Sequence, residues 1–232
     1  PLDSEIDYLL RHVAQYFNLK VKKSDIKAVW SGLRPLVSDP NATDTAKLAR
    51  DHVIEDSASG LLTIAGGKWT TYRKMALDTV DHALNRFNLS APRPTCQTEQ
   101  LPIIGSANYH EKGDLELSKK YGFAADVASY LNRTYGDQAE QVAELAEARQ
   151  GIRLVKNHPI LEAEVVYAVR YESAERVIDV LARRTPLALL DTRAARQAAP
   201  RVLEIMAEEL GWDQRRCDDE VLLIEKRLSE AL

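Results

Sequence analysis

The sequence has 232 residues, 45% of them apolar and 28% charged, with 31 basic and 35 acidic side chains and a formal net charge of −4. That length and apolar content can bury a core, which excludes the disordered class, and the mild acidity argues against a dedicated nucleic-acid binder. Two cysteines, Cys96 and Cys217, supply neither a disulfide framework nor a zinc-ligand spacing, and no apolar run approaches a spanning helix.

In chain order, Ser4 to Phe17 reads as a helix capped by Asp3 or Ser4, with Ile6, Leu9, Leu10, Val13 and Phe17 on one packing face. Three short runs rich in β-branched or large apolar residues read as strands: Ile26 to Leu33, His52 to Ile54 and Leu61 to Ala65. Gly66-Gly67 then leads through Lys68 into a helix to about Phe87, with Met75, Val80, Ala83, Leu84 and Phe87 at helical spacing. The order is strand, tight Gly turn, helix.

Ser90-Ala91-Pro92-Arg93-Pro94-Thr95 reads as a linker and places a domain boundary between residues 1–90 and 91–232. Charge divides there too: 12 basic and 11 acidic residues lie before it, 19 and 24 after it. Beyond it, segments near 114–121, 123–134, 137–149, 159–183, 191–211 and 213–230 read as helices of a bundle. Leu161, Val165, Ala168 and Val169 form one core stripe, and Val177, Ile178 and Leu181 another, while Pro200 is expected to kink or restart its helix. The expected fold class is α+β, strands and a long helix followed by an all-α helical domain.

The chemistry concentrates before the boundary. Gly66-Gly67-Lys68 is not a phosphate-binding loop of the G-x-x-x-x-G-K-[ST] kind, because Leu62 and Trp69 stand where Gly and Ser or Thr are needed. No G-x-G-x-x-G occurs, so a complete dinucleotide-binding unit cannot be built from these residues. A Gly-Gly turn still lets backbone approach a ligand, and the helix start behind it offers unpaired N–H groups to an anion or electron-rich heterocycle. Spacing alone fits equally a plain tight turn with Lys68 in solvent. Arg34 and Arg50 each follow a short run that can deliver them to a sheet end, where a guanidinium fork suits phosphate or carboxylate, although either fits a surface ion pair. His52 fits simple packing beside a strand. No residue set points to a metal.

These residues carry a resemblance. Trp30-Ser31-Gly32-Leu33-Arg34-Pro35-Leu36-Val37, Arg50-Asp51-His52-Val53-Ile54 and Gly60 through Arg73 (Gly-Leu-Leu-Thr-Ile-Ala-Gly-Gly-Lys-Trp-Thr-Thr-Tyr-Arg) resemble the FAD-dependent glycerol-3-phosphate dehydrogenases, particularly the mitochondrial type. Leu161-Glu162-Ala163-Glu164-Val165 and Leu181-Ala182-Arg183-Arg184-Thr185 resemble them too, so the similarity runs along essentially the whole chain. It implies the C-terminal part of a longer flavoenzyme: the end of an FAD- and substrate-binding domain over 1–90 and a helical cap over 91–232. The first residue, proline rather than methionine, fits an excised piece.

The resemblance further implies oxidation of sn-glycerol 3-phosphate to dihydroxyacetone phosphate, with a hydride passing to FAD and electrons to ubiquinone. Arg34 and Arg50 are implied to grip the substrate phosphate. Lys68 is implied to be catalytic beside flavin and substrate, and Gly66, Gly67, Thr70 and Thr71 to join it in contacting the flavin. Most of the flavin site and the base belong to the family's N-terminal FAD domain, so this chain alone is expected to be inactive. Peripheral attachment to the mitochondrial inner membrane is implied, or to the cytoplasmic membrane for a bacterial form. Other readings are a glycerophosphate oxidase using oxygen and a helical scaffold module without catalysis. No D-x-[DN]-x-[DN]-G calcium loop occurs before Leu232.

Overall fold

The structure, a computed structural model, describes residues 2–33, 37, 51–91, 95–148 and 151–229. It falls into two units, one of Pro1–Ser31 with Ile103–Leu232 and one of Gly32–Pro102.

The first unit opens with α1 (Asp3–Tyr16). Its N-terminus is held by Glu5, whose carboxylate accepts the Leu2 N–H at 2.7 Å, rather than by the expected Asp3 or Ser4 cap. Asp3 and Asp7 instead meet Lys23 at 3.4 and 2.9 Å. Ile6, Leu10 and Val13 are half-buried, whereas Leu9 and Phe17 are exposed. Ile26 to Leu33 is not a strand. The Lys27 carbonyl accepts the N–H of Thr192 at 3.1 Å, so this backbone is engaged by a helix start instead of a ladder.

After α2 (Tyr72–Arg86), which belongs to the second unit, the helical part of the first runs α3 (Gly113–Tyr121), α4 (Ala125–Tyr135), α5 (Ala139–Glu147), α6 (Glu162–Glu172), α7 (Val177–Asp179), α8 (Leu187–Leu190), α9 (Thr192–Leu210) and α10 (Gln214–Ser229). Two adjoining cores meet along α6. Leu117, Leu131, Val142, Leu161 and Tyr167 lie in one, and Val165, Val177, Leu181, Val202, Met206 and Ile224 in the other.

The helix expected over 159–183 is interrupted. Ser173 takes a left-handed φ of 54°, and the guanidinium of Arg184 donates to the Glu172 carbonyl at 2.9 and 2.7 Å, which satisfies the end of α6. Asp179 then accepts the N–H groups of Glu175 and Arg176 and starts α7, which passes into a π-helical turn over Val180–Arg184. At Pro200 the opposite holds: α9 continues through it. Pro200 and Arg196 are exposed, so the Arg196 carbonyl that loses its partner faces water while Ala195, Ala198, Ala199 and Val202 pack beneath.

The second unit is an antiparallel pair, β1 (His52–Asp56) and β2 (Leu62–Gly66), with His52 opposite Gly66 and Asp56 opposite Leu62, followed by α2 (Tyr72–Arg86). Strand, Gly turn and helix occur in the expected order. Met75, Ala83 and Leu84 are half-buried, but Val80 of the expected stripe is 55% exposed. None of this unit's described residues is buried, as expected of two strands and one helix without further layers.

Candidate functional site

The site predicted around Gly66-Gly67-Lys68 lies wholly in the second unit. Both glycines have φ +76°, a conformation that costs a residue with a Cβ roughly 1–2 kcal/mol. Space demands glycine as well. A Cβ on Gly66 would come 2.7 Å from Val37 Cγ2 and 3.0 Å from the Asp51 carbonyl, and one on Gly67 would come 2.6 Å from Met75 Sδ and 3.3 Å from His52 Cβ. The close approach at both α-carbons is therefore filled by this chain's own atoms, which leaves backbone groups as what the glycines can offer a ligand.

Lys68 follows in extended conformation, with φ −132° and ψ 147°, and starts a single 3-10 turn over Trp69–Thr71 that runs into α2. The Thr71 N–H and the Thr71 hydroxyl both donate to the Lys68 carbonyl at 2.9 Å. That use of its proton leaves the Thr71 oxygen to accept rather than donate. The turn closes through Thr71 and Tyr72, so the N–H groups of Trp69 and Thr70 have no backbone acceptor among the described residues. The Lys68 side chain is exposed and forms no ion pair among the described residues. Trp69, 85% exposed, stacks on Tyr72 with ring centroids 5.6 Å apart.

Behind the turn, α2 is fastened to β1 at two points. His52 Nε2–H donates to Asp78 Oδ2 at 3.1 Å, and Lys74 Nζ donates to Asp78 Oδ1 at 2.5 Å. Four residues along β1, Asp56 accepts His82 Nε2–H at 3.0 Å and Arg86 Nε–H at 2.9 Å. The Lys74 ammonium, and then His52, hold the Asp78 carboxyl below the usual carboxylate range, which keeps it an ionised acceptor. Sequence reasoning left His52 as a packing residue and named neither Asp78 nor Asp56. The spacing carries only part of the signal: His52 and Asp56 are four apart on a strand, and Asp78, His82 and Arg86 four apart on a helix with opposite polarity, but the pairing across 26 residues depends on the fold.

Arg34 and Arg50, the predicted phosphate ligands, lie outside the described residues. What the structure gathers is Lys68, Thr70, Thr71, Trp69 and two free N–H groups on one exposed turn, a set able to stabilise negative charge on a flat, electron-rich ligand. Among the described residues no group of three or more His, Cys, Asp or Glu side chains can hold a metal, and no helix is long and apolar enough to cross a membrane.

Comparison with known proteins identifies the family. The chain is 42% identical to a mitochondrial glycerol-3-phosphate dehydrogenase of Mus musculus over 95% of its own length and 31% of that protein's. It is 44% identical to a probable mitochondrial glycerol-3-phosphate dehydrogenase of Caenorhabditis elegans, covering 91% of this chain and 30% of the relative. It thus spans about a third of the length of the curated relatives it matches. The X-ray structure of the glycerol-3-phosphate dehydrogenase from Bacillus halodurans complexed with FAD superposes with a TM-score of 0.76 at 29% identity, over 98% of this chain and 45% of that one. Residues 96–217, more than half of the sequence, match the family described as the C-terminal domain of alpha-glycerophosphate oxidase, and the chain belongs to that family.

Proposed function

We propose that this chain forms the C-terminal part of an FAD-dependent glycerol-3-phosphate dehydrogenase, in which residues 1–90 complete the flavin and substrate domain and 91–232 form the helical cap. The observation that carries the reading is the exposed Lys68, without an ionic partner among the described residues, on a turn whose Trp69 and Thr70 N–H groups have no backbone acceptor among those residues. The unburied second unit supports it, since strands and helix that bury no residue of their own suit a surface completed by further layers.

The residues fit a flavin. Bound there, FAD would supply the hydride acceptor for C2 of sn-glycerol 3-phosphate. The Lys68 ammonium would help to hold the flavin and would stabilise negative charge on it more than the neutral ground state. The Trp69 and Thr70 N–H groups act with it through the positive end of the turn. Thr71 accepts, and Gly66 and Gly67 hold the turn's path. Arg34 and Arg50 are assigned to the substrate phosphate, each by a charge-assisted fork that stays protonated at all working pH values.

Electrons pass to ubiquinone in this reading, at the mitochondrial inner membrane, to which the whole protein attaches peripherally. The names of the relatives support the organelle, which they give as mitochondrial. The family description supports a second reading, an oxidase that passes electrons to oxygen. Anaerobic mixing of the full-length protein carrying this chain with sn-glycerol 3-phosphate tests the function. Bleaching of the oxidised-flavin absorbance with the phosphate ester but not with glycerol is expected, and no bleaching with either rejects it. Peroxide release on admitting air separates the oxidase from the quinone-linked enzyme.

A further inference from the structure

We propose that His52 and Asp78 are positioning residues for Lys68, their hydrogen bond fixing the direction in which the Gly66-Gly67 turn presents the lysine. The inference rests on the role of Lys68 given above. β2 ends at Gly66, directly opposite His52 in the ladder, and α2 begins at Tyr72, five residues after Gly67, so Lys68 sits near the vertex of a strand–helix angle. The 3.1 Å bond from His52 on β1 to Asp78 on α2 spans that angle. His52 also lines the turn itself, its Cβ lying 3.3 Å from where a Gly67 substituent would stand, with Met75 on the other side. The lysine's backbone is thus fixed while its side chain stays free.

The second fastening alone would hold α2 onto β1, but from the wrong end. Asp56, with His82 and Arg86, lies four residues along the strand, about 13 Å away. A tilt of about 5° about that point would move the vertex by about 1 Å, a displacement on the scale that costs a reacting centre on the order of 100-fold. The bond at the vertex removes that freedom. Lys74 supports it by holding Asp78 from the other oxygen.

The far fastening provides the control. In the full-length flavoprotein, Asp78→Asn and His52→Ala should slow flavin reduction at saturating sn-glycerol 3-phosphate by on the order of 10–100-fold with little change in KM. His52→Gln, whose amide can still donate to Asp78, should recover most of the rate. Asp56→Asn should lower the melting temperature as much as Asp78→Asn yet leave reduction within about twofold of the parent. Reduction by Asp78→Asn no slower than by Asp56→Asn overturns the proposal, and it decides the matter even if His52→Ala does not fold. Lys68→Met, measured alongside, separates the two levels. A slow Lys68→Met with a fast Asp78→Asn rejects only the positioning role, whereas an unaffected Lys68→Met rejects the reading of the site and this inference with it.

Discussion

Tyr135 donates its hydroxyl to Glu164 Oε1 at 2.9 Å in the interior of the helical unit, where Glu164 is fully buried and its other oxygen accepts the Leu161 N–H at 2.6 Å. Burial pushes the carboxyl up from 4.5 to about 7 against the opposing effect of those two donors, with Tyr130 and Glu172 also acting on it. Between these values the folded protein holds a proton that the unfolded chain has released. Glu164 therefore favours the fold most at low pH, and its contribution falls as pH rises through that window, by up to about 3 kcal/mol. Urea unfolding across pH 4.5 to 8 should show the parent losing stability relative to Glu164→Gln. Parallel profiles for the two proteins would show that this carboxyl is ionised in the fold throughout.

The two roles of glycine separate by substitution. Gly67 has both a left-handed backbone and a filled neighbourhood, while Gly211, at φ +65°, has nothing within 4 Å of a new Cβ. Gly211→Ala should cost about 1 kcal/mol from conformation alone. Gly67→Ala adds overpacking against Met75 and His52, for about 2–4 kcal/mol in all. Chemical denaturation measures both, and equal costs would mean that Met75 moves aside freely.

For the arginines the expectation comes from sequence alone. In the full-length protein Arg34→Ala or Arg50→Ala should lower kcat/KM for glycerol 3-phosphate by about 2–4 kcal/mol, the scale of a lost charge-assisted phosphate contact. Glycerol, tested in parallel, lacks the phosphate. Equal losses on both substrates would assign the arginines to the architecture.

Periodicity made the local elements legible: α2, the strands at His52 and Leu62, and the helices of the bundle all follow from side-chain spacing. Where the pattern misled, a distant partner decided the outcome. Ile26 to Leu33 has strand composition, but the Lys27 carbonyl is taken by Thr192. The segment 159–183 has continuous helical periodicity, but Arg184 closes α6 from twelve residues away and Asp179 opens the next turn. Pro200 spares its helix because it stands on the wet face. In the site, Gly66-Gly67-Lys68 was readable because glycine at a strand end announces a turn. The His52–Asp78 and Asp56–His82 pairs, each separated by 26 residues, were not, because pairing across that distance depends on how the helix folds back over the strand.

The account stands most directly on Lys68. In the proposed function its ammonium acts on charge that develops during hydride transfer, so Lys68→Met, which keeps length and removes charge, should affect the chemical step and leave substrate affinity nearly unchanged. Rapid mixing of the full-length flavoprotein with saturating sn-glycerol 3-phosphate, followed by flavin absorbance, should show reduction slowed by roughly 10²–10³-fold, with a lowered flavin potential. An unchanged reduction rate at saturation, with only a weakened Kd for the substrate, would contradict the account and place Lys68 in the phosphate site with Arg34 and Arg50.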